Sequence, residues 1–303
     1  MKVYIAGPMS GYEEWNFPAF FKAEEELLSI GVDVINPAHN DGPNLEEAMK
    51  SAGTPDRPNH TWSWYMRRDL PHIMSCDAVC VLEGWQKSNG ARLEVHVARA
   101  LGMPVLTLQN GKLVPRISAI GLSGWARSGK DTAADYIIEK YGFTKAAFAH
   151  PIREALERLN PKINIGGVGQ TSLASALKYF GWEGLKDVSV DVRPLMQRLG
   201  TEVGREMFGD DFWVETALDR IPDGSKVVFS DARYPNEADA IRDLGGKIYR
   251  IEREGVGPAN GHASEIALND YDFDDRIDNS GSVEELYGQI DRVINANGSV
   301  SGG

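Results

Sequence analysis

The sequence predicts an α/β protein made of two three-layer domains, each a largely parallel sheet packed between helices. Three observations carry that prediction. Short apolar runs alternate with stretches of helical spacing through both halves of the 303-residue chain. The alternation pauses once, at Gln109-Asn-Gly-Lys-Leu-Val-Pro115, and then starts afresh. A glycine-rich loop, Gly124-Trp-Ala-Arg-Ser-Gly129-Lys130-Asp131-Thr132, follows the restart, between an apolar run and a helical stretch.

Taken in order, Val3 to Ala6 is apolar and stops at Gly7-Pro8, so it reads as a first strand. Phe17 to Leu28 has helical spacing, and Val32 to Ile35 is a second strand ending at Asn36-Pro37. Asp41 to His60, rich in Pro, Gly, Asn and acids, reads as a long mobile loop. Trp62 to Met74 reads as a helix, Ala78 to Leu82 as a strand, Ala91 to Leu101 as a helix and Val105 to Leu108 as a fourth strand. After the pause, Ile117 to Leu122 is a strand and Asp131 to Tyr141 a helix. A helical region is expected from about Pro151 to Arg220. Strands at Val227 to Phe229 and Lys247 to Ile251 flank a helix from Asn236 to Leu244, and Val283 to Ile294 is a last helix. The domains are therefore expected at residues 1–112 and 116–295, with a polar, frayed tail over 296–303.

Composition narrows the function classes. A hydrophobic fraction of 42% and a charged fraction of 25% are those of a water-soluble globular protein. The net charge of −12 argues against direct nucleic-acid binding and against a membrane surface. Met1-Lys-Val-Tyr-Ile-Ala-Gly7 is too short an apolar run for a signal peptide or membrane span. Cys76 and Cys80 read as small core residues, since two thiols make neither a disulfide framework nor a full metal site, and a cytoplasmic location is expected.

The loop from Gly124 to Thr132 matches the phosphate-cradling pattern G-x-x-x-x-G-K. Its glycines let backbone N–H groups turn inward around phosphate oxygens. Lys130 and the following helix N-terminus add positive charge. Gly124, Ser128, Gly129, Lys130, Asp131 and Thr132 are the expected nucleotide contacts. Asp131 stands where a Ser or Thr usually meets Mg²⁺, so Thr132 is the candidate metal ligand, with phosphates and water completing the shell. Val227-Val-Phe-Ser-Asp231 ends an apolar strand in a carboxylate, the way such folds present a second metal-side acid. Arg153, Arg193, Arg205, Arg233 and Arg253 are candidates for bidentate phosphate clamps.

Residues from about 117 to 294 resemble the deoxynucleoside monophosphate kinases of tailed bacteriophages. The resemblance rests on Ser128-Gly-Lys-Asp-Thr132, Phe148-Ala-His-Pro-Ile-Arg153, Gln197-Arg-Leu-Gly-Thr201-Glu-Val-Gly-Arg205, Asp231-Ala-Arg-Tyr-Pro-Asn-Glu237, and His262-Ala-Ser-Glu265 with Asp278-Asn-Ser-Gly281. It implies a P-loop NTPase domain of the nucleoside-monophosphate-kinase type. It also implies ATP and Mg²⁺ as cofactors, and transfer of the γ-phosphate to a deoxynucleoside 5′-monophosphate. Lys130 would hold the donor phosphates, and Arg153, Gln197, Thr201, Arg205, Asp231 and Arg233 would surround the acceptor.

In the first half, Tyr4, the Gly7-Pro-Met-Ser10-Gly11 loop, Asp69, Ser88, Asn89 and Glu94 fall at strand ends or in the helices just after them. Open α/β sheets bind ligands there. Residues 1 to 110 resemble the nucleoside 2-deoxyribosyltransferase superfamily through Val3-Tyr-Ile-Ala-Gly-Pro-Met-Ser-Gly11, Arg68-Asp69-Leu70, Cys76-Asp-Ala-Val-Cys-Val-Leu82 and Ser88-Asn-Gly-Ala-Arg-Leu-Glu94. The resemblance implies a Rossmann-like domain needing no cofactor. Glu94 would attack the anomeric carbon, and Asp69 would aid protonation of the leaving base. Ser88 stands near the position where relatives acting on free nucleosides carry an acid. With Ser10 and Gly11 it would form a neutral phosphate pocket, which favours hydrolysis of a deoxynucleoside 5′-monophosphate.

Together the halves imply a bifunctional enzyme of nucleotide-pool remodelling in a phage-infected cell, acting on deoxynucleoside 5′-monophosphates and expected to be a homo-oligomer. Three alternatives stay open from sequence. The first domain could exchange bases, or it could be a non-catalytic nucleotide-binding regulator. The second could phosphorylate another small acid.

Overall fold

The computed structural model describes residues 1–39, 61–258 and 266–296. The whole of the expected loop from Asp41 to His60, the His262–Glu265 motif and nearly all of the tail lie outside the described residues. The chain divides into two compact units. One holds Met1–Ala119 with Pro222–Lys226 and Arg242–Gly246; the other holds Ile120–Ile221, Val227–Ile241 and Lys247–Gly303.

The first unit is built on β1 (Lys2–Ala6), β2 (Asp33–Ile35), β3 (Ala78–Val81), β4 (Val105–Gln109) and β5 (Lys112–Pro115), in the order β2-β1-β3-β4-β5. The first four pair in parallel, and β5 runs antiparallel to β4. The helices are α1 (Phe17–Ser29), α2 (Trp62–Met74) and α3 (Asn89–Ala100). The two-residue period of the strands sorts them into layers. Val3 and Ile5 pack with Phe17, Phe20 and Leu27 of α1, whereas Tyr4 and Ala6 pack with Ile73 of α2 and Ala91, Val95 and Ala98 of α3. The chain leaves β1 for β2 on one side and reaches β3 on the other. A switch point therefore lies at the C-terminal ends of β1 and β3.

The boundary segment, where the alternation pauses, forms a hairpin. Asn110 and Gly111 both adopt positive φ, 50° and 70°, between the paired residues Gln109 and Lys112. That is the two-residue turn an Asn-Gly pair favours, because its twist matches that of the flanking strands.

The second unit carries β6 (Ile117–Ser123), β7 (Thr144–Ala146), β10 (Ser225–Phe229), β11 (Lys247–Glu252) and β12 (Asp275–Asp278), in the order β12-β11-β6-β10-β7. β7 with β10, β6 with β11, and β11 with β12 pair in parallel. Ile120, Leu122, Val228, Tyr249 and Ile251 pack against Ala133, Ala134 and Ile137 of α4 (Lys130–Tyr141) and against Leu286, Ile290 and Val293 of the last helix, Val283–Ala296. On the opposite face Gly121 lies under Ile241 of the helix Pro235–Asp243, where a Cβ would crowd the Ile241 methyl at 2.5 Å.

The expected helical region from Pro151 to Arg220 is interrupted. After α5 (His150–Leu159), β8 (Lys162–Ile165) and β9 (Gly169–Ser172) form an antiparallel hairpin before α6 (Leu173–Val188) and α7 (Val192–Arg198). Ile163 and Ile165 point inward, joining Leu156, Leu173 and Leu185 in a core of their own. An alternation of four residues inside helix-rich sequence is too short to show by periodicity. A π-helical turn, Leu199–Arg205, continues α7, and α8 (Phe212–Asp219) follows. Among the described residues no helix is long and apolar enough to cross a membrane.

Candidate functional site

The first unit opens a cleft of about 640 Å³ at its switch point. Gly7, Ser10, Asp69, Ser88 and Glu94 line it, as do Trp15, Trp62, Tyr65, Met66 and Arg68. Gly11 and Asn89 are not among its lining residues, and Tyr4 stands behind Glu94. Helix α3 starts at Asn89, two residues earlier than expected, because the Ser88 hydroxyl caps it by accepting from the Ala91 N–H at 3.3 Å. Glu94 thus sits in the second turn. Before α1, Glu14, Trp15 and Asn16 all take positive φ, and the Asn16 amide donates to the Pro8 carbonyl at 2.8 Å. This sparsely populated backbone turns the Trp15 ring into the cleft wall.

The Tyr4 phenol donates to Glu94 Oε1 at 2.8 Å. Burial pushes the Glu94 carboxyl up to about 8, although the Tyr4 hydrogen bond pulls the other way. Burial also raises the Tyr4 phenol well above its usual range, with the Glu94 and Asp69 charges adding to it, so the phenol stays a donor. Asp69 is gripped at both oxygens by its neighbour. Arg68 Nε donates to Oδ1 at 2.7 Å and Nη2 to Oδ2 at 3.0 Å. A guanidinium therefore lines the cleft that the sequence suggested would bind phosphate through neutral groups alone.

In the second unit the glycine-rich loop joins β6 to α4. Gly124 has a φ of 145° and its α-carbon faces the Ile251 carbonyl; Gly129 has a φ of 104° and faces the Asn279 amide. A side chain at either would collide with those groups. Asn279 donates to the Ser128 carbonyl at 2.8 Å and so braces the loop. Lys130 Nζ donates to the carbonyls of Gly124 at 2.8 Å and Trp125 at 2.7 Å, which holds its charge over the loop. The Ser128 hydroxyl is buried and has no protein partner. Asp131 Oδ1 accepts from Lys145 at 2.7 Å and from Ser230 at 3.3 Å. Partial burial would raise the Asp131 carboxyl, but the Lys145 ammonium, Ser230 and Lys130 outweigh it and hold the group below its usual value. Asp131 and Ser230, with Thr132 in the first turn of α4, offer hydroxyl and carboxylate oxygens. That donor set suits a hard cation such as Mg²⁺.

Asp231 does something other than the metal-side role expected of it. Its two oxygens accept the backbone N–H groups of Phe148 at 3.1 Å and Ala149 at 2.9 Å, which fastens the end of β10 to the start of α5. Burial raises its carboxyl, and the two backbone donors, Arg233 and Arg153 moderate the rise. The oxygen that reaches Asp131 from this strand end is the hydroxyl of Ser230.

Beside this junction lies a second cleft, of about 1220 Å³. It brings together Arg153, Gln197, Thr201, Arg205, Asp231 and Arg233, the six residues singled out around the acceptor. Arg193 joins them; Arg253 does not. Lys186, Trp213, Tyr234 and Glu237 also line it. The π-helical turn puts Thr201 and Arg205 on the wall, with Gly204 pressed against the Trp213 indole. Arg205 Nη2 donates to Glu237 at 3.1 Å, and its guanidinium lies 4.0 Å over the Tyr234 ring. Burial, together with the Asp231 charge, pushes Glu237 up to about 7, and it accepts the backbone N–H groups of Arg233 and Tyr234 at 2.7 and 3.2 Å. Arg153 Nη2 donates to Glu183 at 3.1 Å, while its Nε is buried and lacks a protein acceptor. Five cationic side chains, Arg153, Lys186, Arg193, Arg205 and Arg233, face two carboxylates, Asp231 and Glu237. Glu183 also pairs with Arg153 and Lys186, and Asp187 with Arg193, which leaves a small excess of positive charge that suits an anionic ligand.

Cys76 precedes β3 and Cys80 lies within it; both thiols are free, and among the described residues no group of three or more His, Cys, Asp or Glu side chains is placed to hold a metal ion. Arg68 and Glu237 stand inside the motifs Arg68-Asp69-Leu70 and Asp231–Glu237, where neither shows a role of its own from sequence.

Comparison with known proteins places these features. A domain of unknown function, DUF4406, matches residues 1–107, and the deoxynucleotide monophosphate kinase family matches residues 118–185 and 183–290. A protein of Acanthamoeba polyphaga mimivirus named for that same activity is 31% identical over 192 residues, spanning 56% of this chain and 93% of its own. The deoxynucleotide monophosphate kinase of Enterobacteria phage T4 is 27% identical over 235 residues, spanning 58% of this chain and 98% of its own. Among solved structures, a 2-deoxyribosyltransferase of Bacillus psychrosaccharolyticus covers 35% of this chain and 71% of its own at 23% identity, but a TM-score of 0.27 carries no argument. Since its family match spans more than half of the sequence, the chain belongs to the deoxynucleotide monophosphate kinase family.

Proposed function

We propose that the second unit phosphorylates a deoxynucleoside 5′-monophosphate with ATP. The observation that carries this reading is the Arg153 side chain. Its buried Nε has no acceptor, and it sits in a cleft whose cations outnumber its carboxylates beside a phosphate-cradling loop. A buried donor without a partner is costly, and a substrate phosphate is the acceptor that would relieve it. The glycine cradle, the unpartnered Ser128 hydroxyl and the N-terminus of α4 fit the phosphates of ATP, and Asp131, Thr132 and Ser230 fit Mg²⁺. ATP held there supplies its γ-phosphoryl group to a phosphate oxygen of the monophosphate, and ADP leaves. Lys130 balances the donor charge, Arg153, Arg205 and Arg233 hold and orient the acceptor, and Asp231 fixes the start of α5 beneath them. Diphosphate formation from each deoxynucleoside monophosphate, lost in Lys130→Ala, is the test; no diphosphate from any of them would sink the reading.

For the first unit the reading is cleavage of the N-glycosidic bond of a deoxynucleoside 5′-monophosphate. It is supported by the buried Glu94 beside Tyr4, with Asp69 in the same cleft. The Glu94 carboxylate bonds to the anomeric carbon as the carbon–nitrogen bond breaks, and the base takes a proton from Asp69. Water then displaces Glu94, its second proton returning to Asp69, and deoxyribose 5-phosphate leaves. Ser88 accepts a backbone N–H in its cap, so its own O–H can be donated to a phosphate oxygen. Free base appearing without ATP, and vanishing in Glu94→Gln, would bear this out; base release that persists in Glu94→Gln would exclude Glu94 as the nucleophile.

A further inference from the structure

The first cleft contains a contradiction for the glycosidic reading on which this inference rests. That chemistry needs Asp69 to carry a proton and Glu94 to be ionised. In the structure both oxygens of Asp69 accept from the fork of Arg68, at 2.7 and 3.0 Å, so neither is presented to a leaving base.

Arg68 is built to let go. Its guanidinium lies 5.3 Å from the Trp64 ring and 5.1 Å from the Tyr65 ring, so aromatic faces can hold it whichever anion it meets. It lines the cleft with Ser10 and Ser88, the hydroxyls expected around a phosphate. A planar fork binds phosphate as well as carboxylate, and a phosphate dianion competes strongly with a single carboxylate.

We propose that Arg68 binds the substrate's 5′-phosphate and that, in doing so, it releases Asp69 to serve the leaving base. The phosphate is then an activator as well as a handle. A deoxynucleoside lacking it leaves Asp69 clamped, and inorganic phosphate supplied separately restores part of the rate.

The test uses the full chain carrying Arg153→Ala, which weakens the phosphate site of the second unit. Base release is measured with each 5′-monophosphate and with the matching deoxynucleoside, the latter with and without inorganic phosphate. Binding of 2-deoxyribose 5-phosphate is followed by calorimetry. Arg68→Ala is expected to weaken that binding, and to shrink the preference for monophosphate over nucleoside, by about 10–100-fold, the worth of a charge-assisted hydrogen-bond pair. Arg68→Lys keeps the charge but loses the fork, so it falls between, and it serves alone if the alanine variant does not fold. Inorganic phosphate accelerates nucleoside cleavage by the parent and not by Arg68→Ala. Unchanged sugar-phosphate binding in both variants overturns the proposal whatever the base-release result, as does an unchanged substrate preference. Weakened binding with no base release from the parent keeps Arg68 as the phosphate ligand and removes the glycosidic reading instead.

Discussion

Glu94 shows how one residue's surroundings set its chemistry. It sits in a helix whose apolar face is pressed to the sheet, so burial pushes its carboxyl up to about 8, and Tyr4 donates to its Oε1. Cleavage needs one proton shared between Glu94 and Asp69, because the base must leave protonated and the nucleophile must be charged. Above pH 8 the last proton is lost, so base release is expected to fall as pH rises through about 8. A rate that keeps climbing beyond pH 9 would put the proton donor elsewhere. In the second unit, Arg153→Ala removes the buried donor from the acceptor cleft. The KM for the monophosphate should then rise about 10–100-fold, from the worth of a hydrogen bond to a charged group, with a smaller change in kcat. An unchanged KM would show that Arg153 does not meet the substrate. Glu94, Arg153, Gln197, Thr201 and Arg205 were legible in the sequence because each belongs to a motif with fixed spacing. Arg68 and Glu237 stood inside quoted motifs without a role of their own, and the roles of Ser230 and Lys145 gave no signal. Their partners are set by rotamers and by strands that meet only in the fold, and an Arg beside an Asp has no period.

At the scale of elements, the strands that flank loops carried their own signal. Lys2–Ala6, Ala78–Val81, Ile117–Ser123 and Ser225–Phe229 are compact apolar runs ending in glycine or polar residues, and Trp62–Met74 has its predicted ends. The Asn110-Gly111 pair in the boundary segment is a hairpin signal in its own right. The short strands Thr144–Ala146 and Asp275–Asp278 were hidden, because edge strands bury few residues and show no continuous apolar run. The joint between β10 and α5 depends on Asp231, which accepts the N–H groups of Phe148 and Ala149. Asp231→Ala leaves two backbone donors without acceptors. It should destabilise the chain by about 1–3 kcal/mol, seen as a lower denaturation midpoint. A midpoint equal to that of the parent would show that the joint holds without it. Gly204→Ala would drive a methyl into the Trp213 indole and distort the π-helical turn that carries Thr201 and Arg205. Phosphorylation should fall with it, and an unimpaired variant would mean that the turn tolerates adjustment.

At the scale of the whole molecule, one chain carries two clefts, each lined by residues of one unit. Both are lined by guanidinium groups, and the proposed activities give them one class of ligand, a sugar phosphate. The two products should respond to different variants: diphosphate to Lys130→Ala and free base to Glu94→Gln. A single variant that abolishes both in a folded protein would mean that the activities are one. The most direct measurement is chromatography of the intact chain with each deoxynucleoside 5′-monophosphate and Mg-ATP, beside Lys130→Ala. The account predicts deoxynucleoside diphosphate from the parent and none from the variant. Absence of diphosphate from every deoxynucleoside monophosphate, with some other small acid phosphorylated in its place, would contradict it.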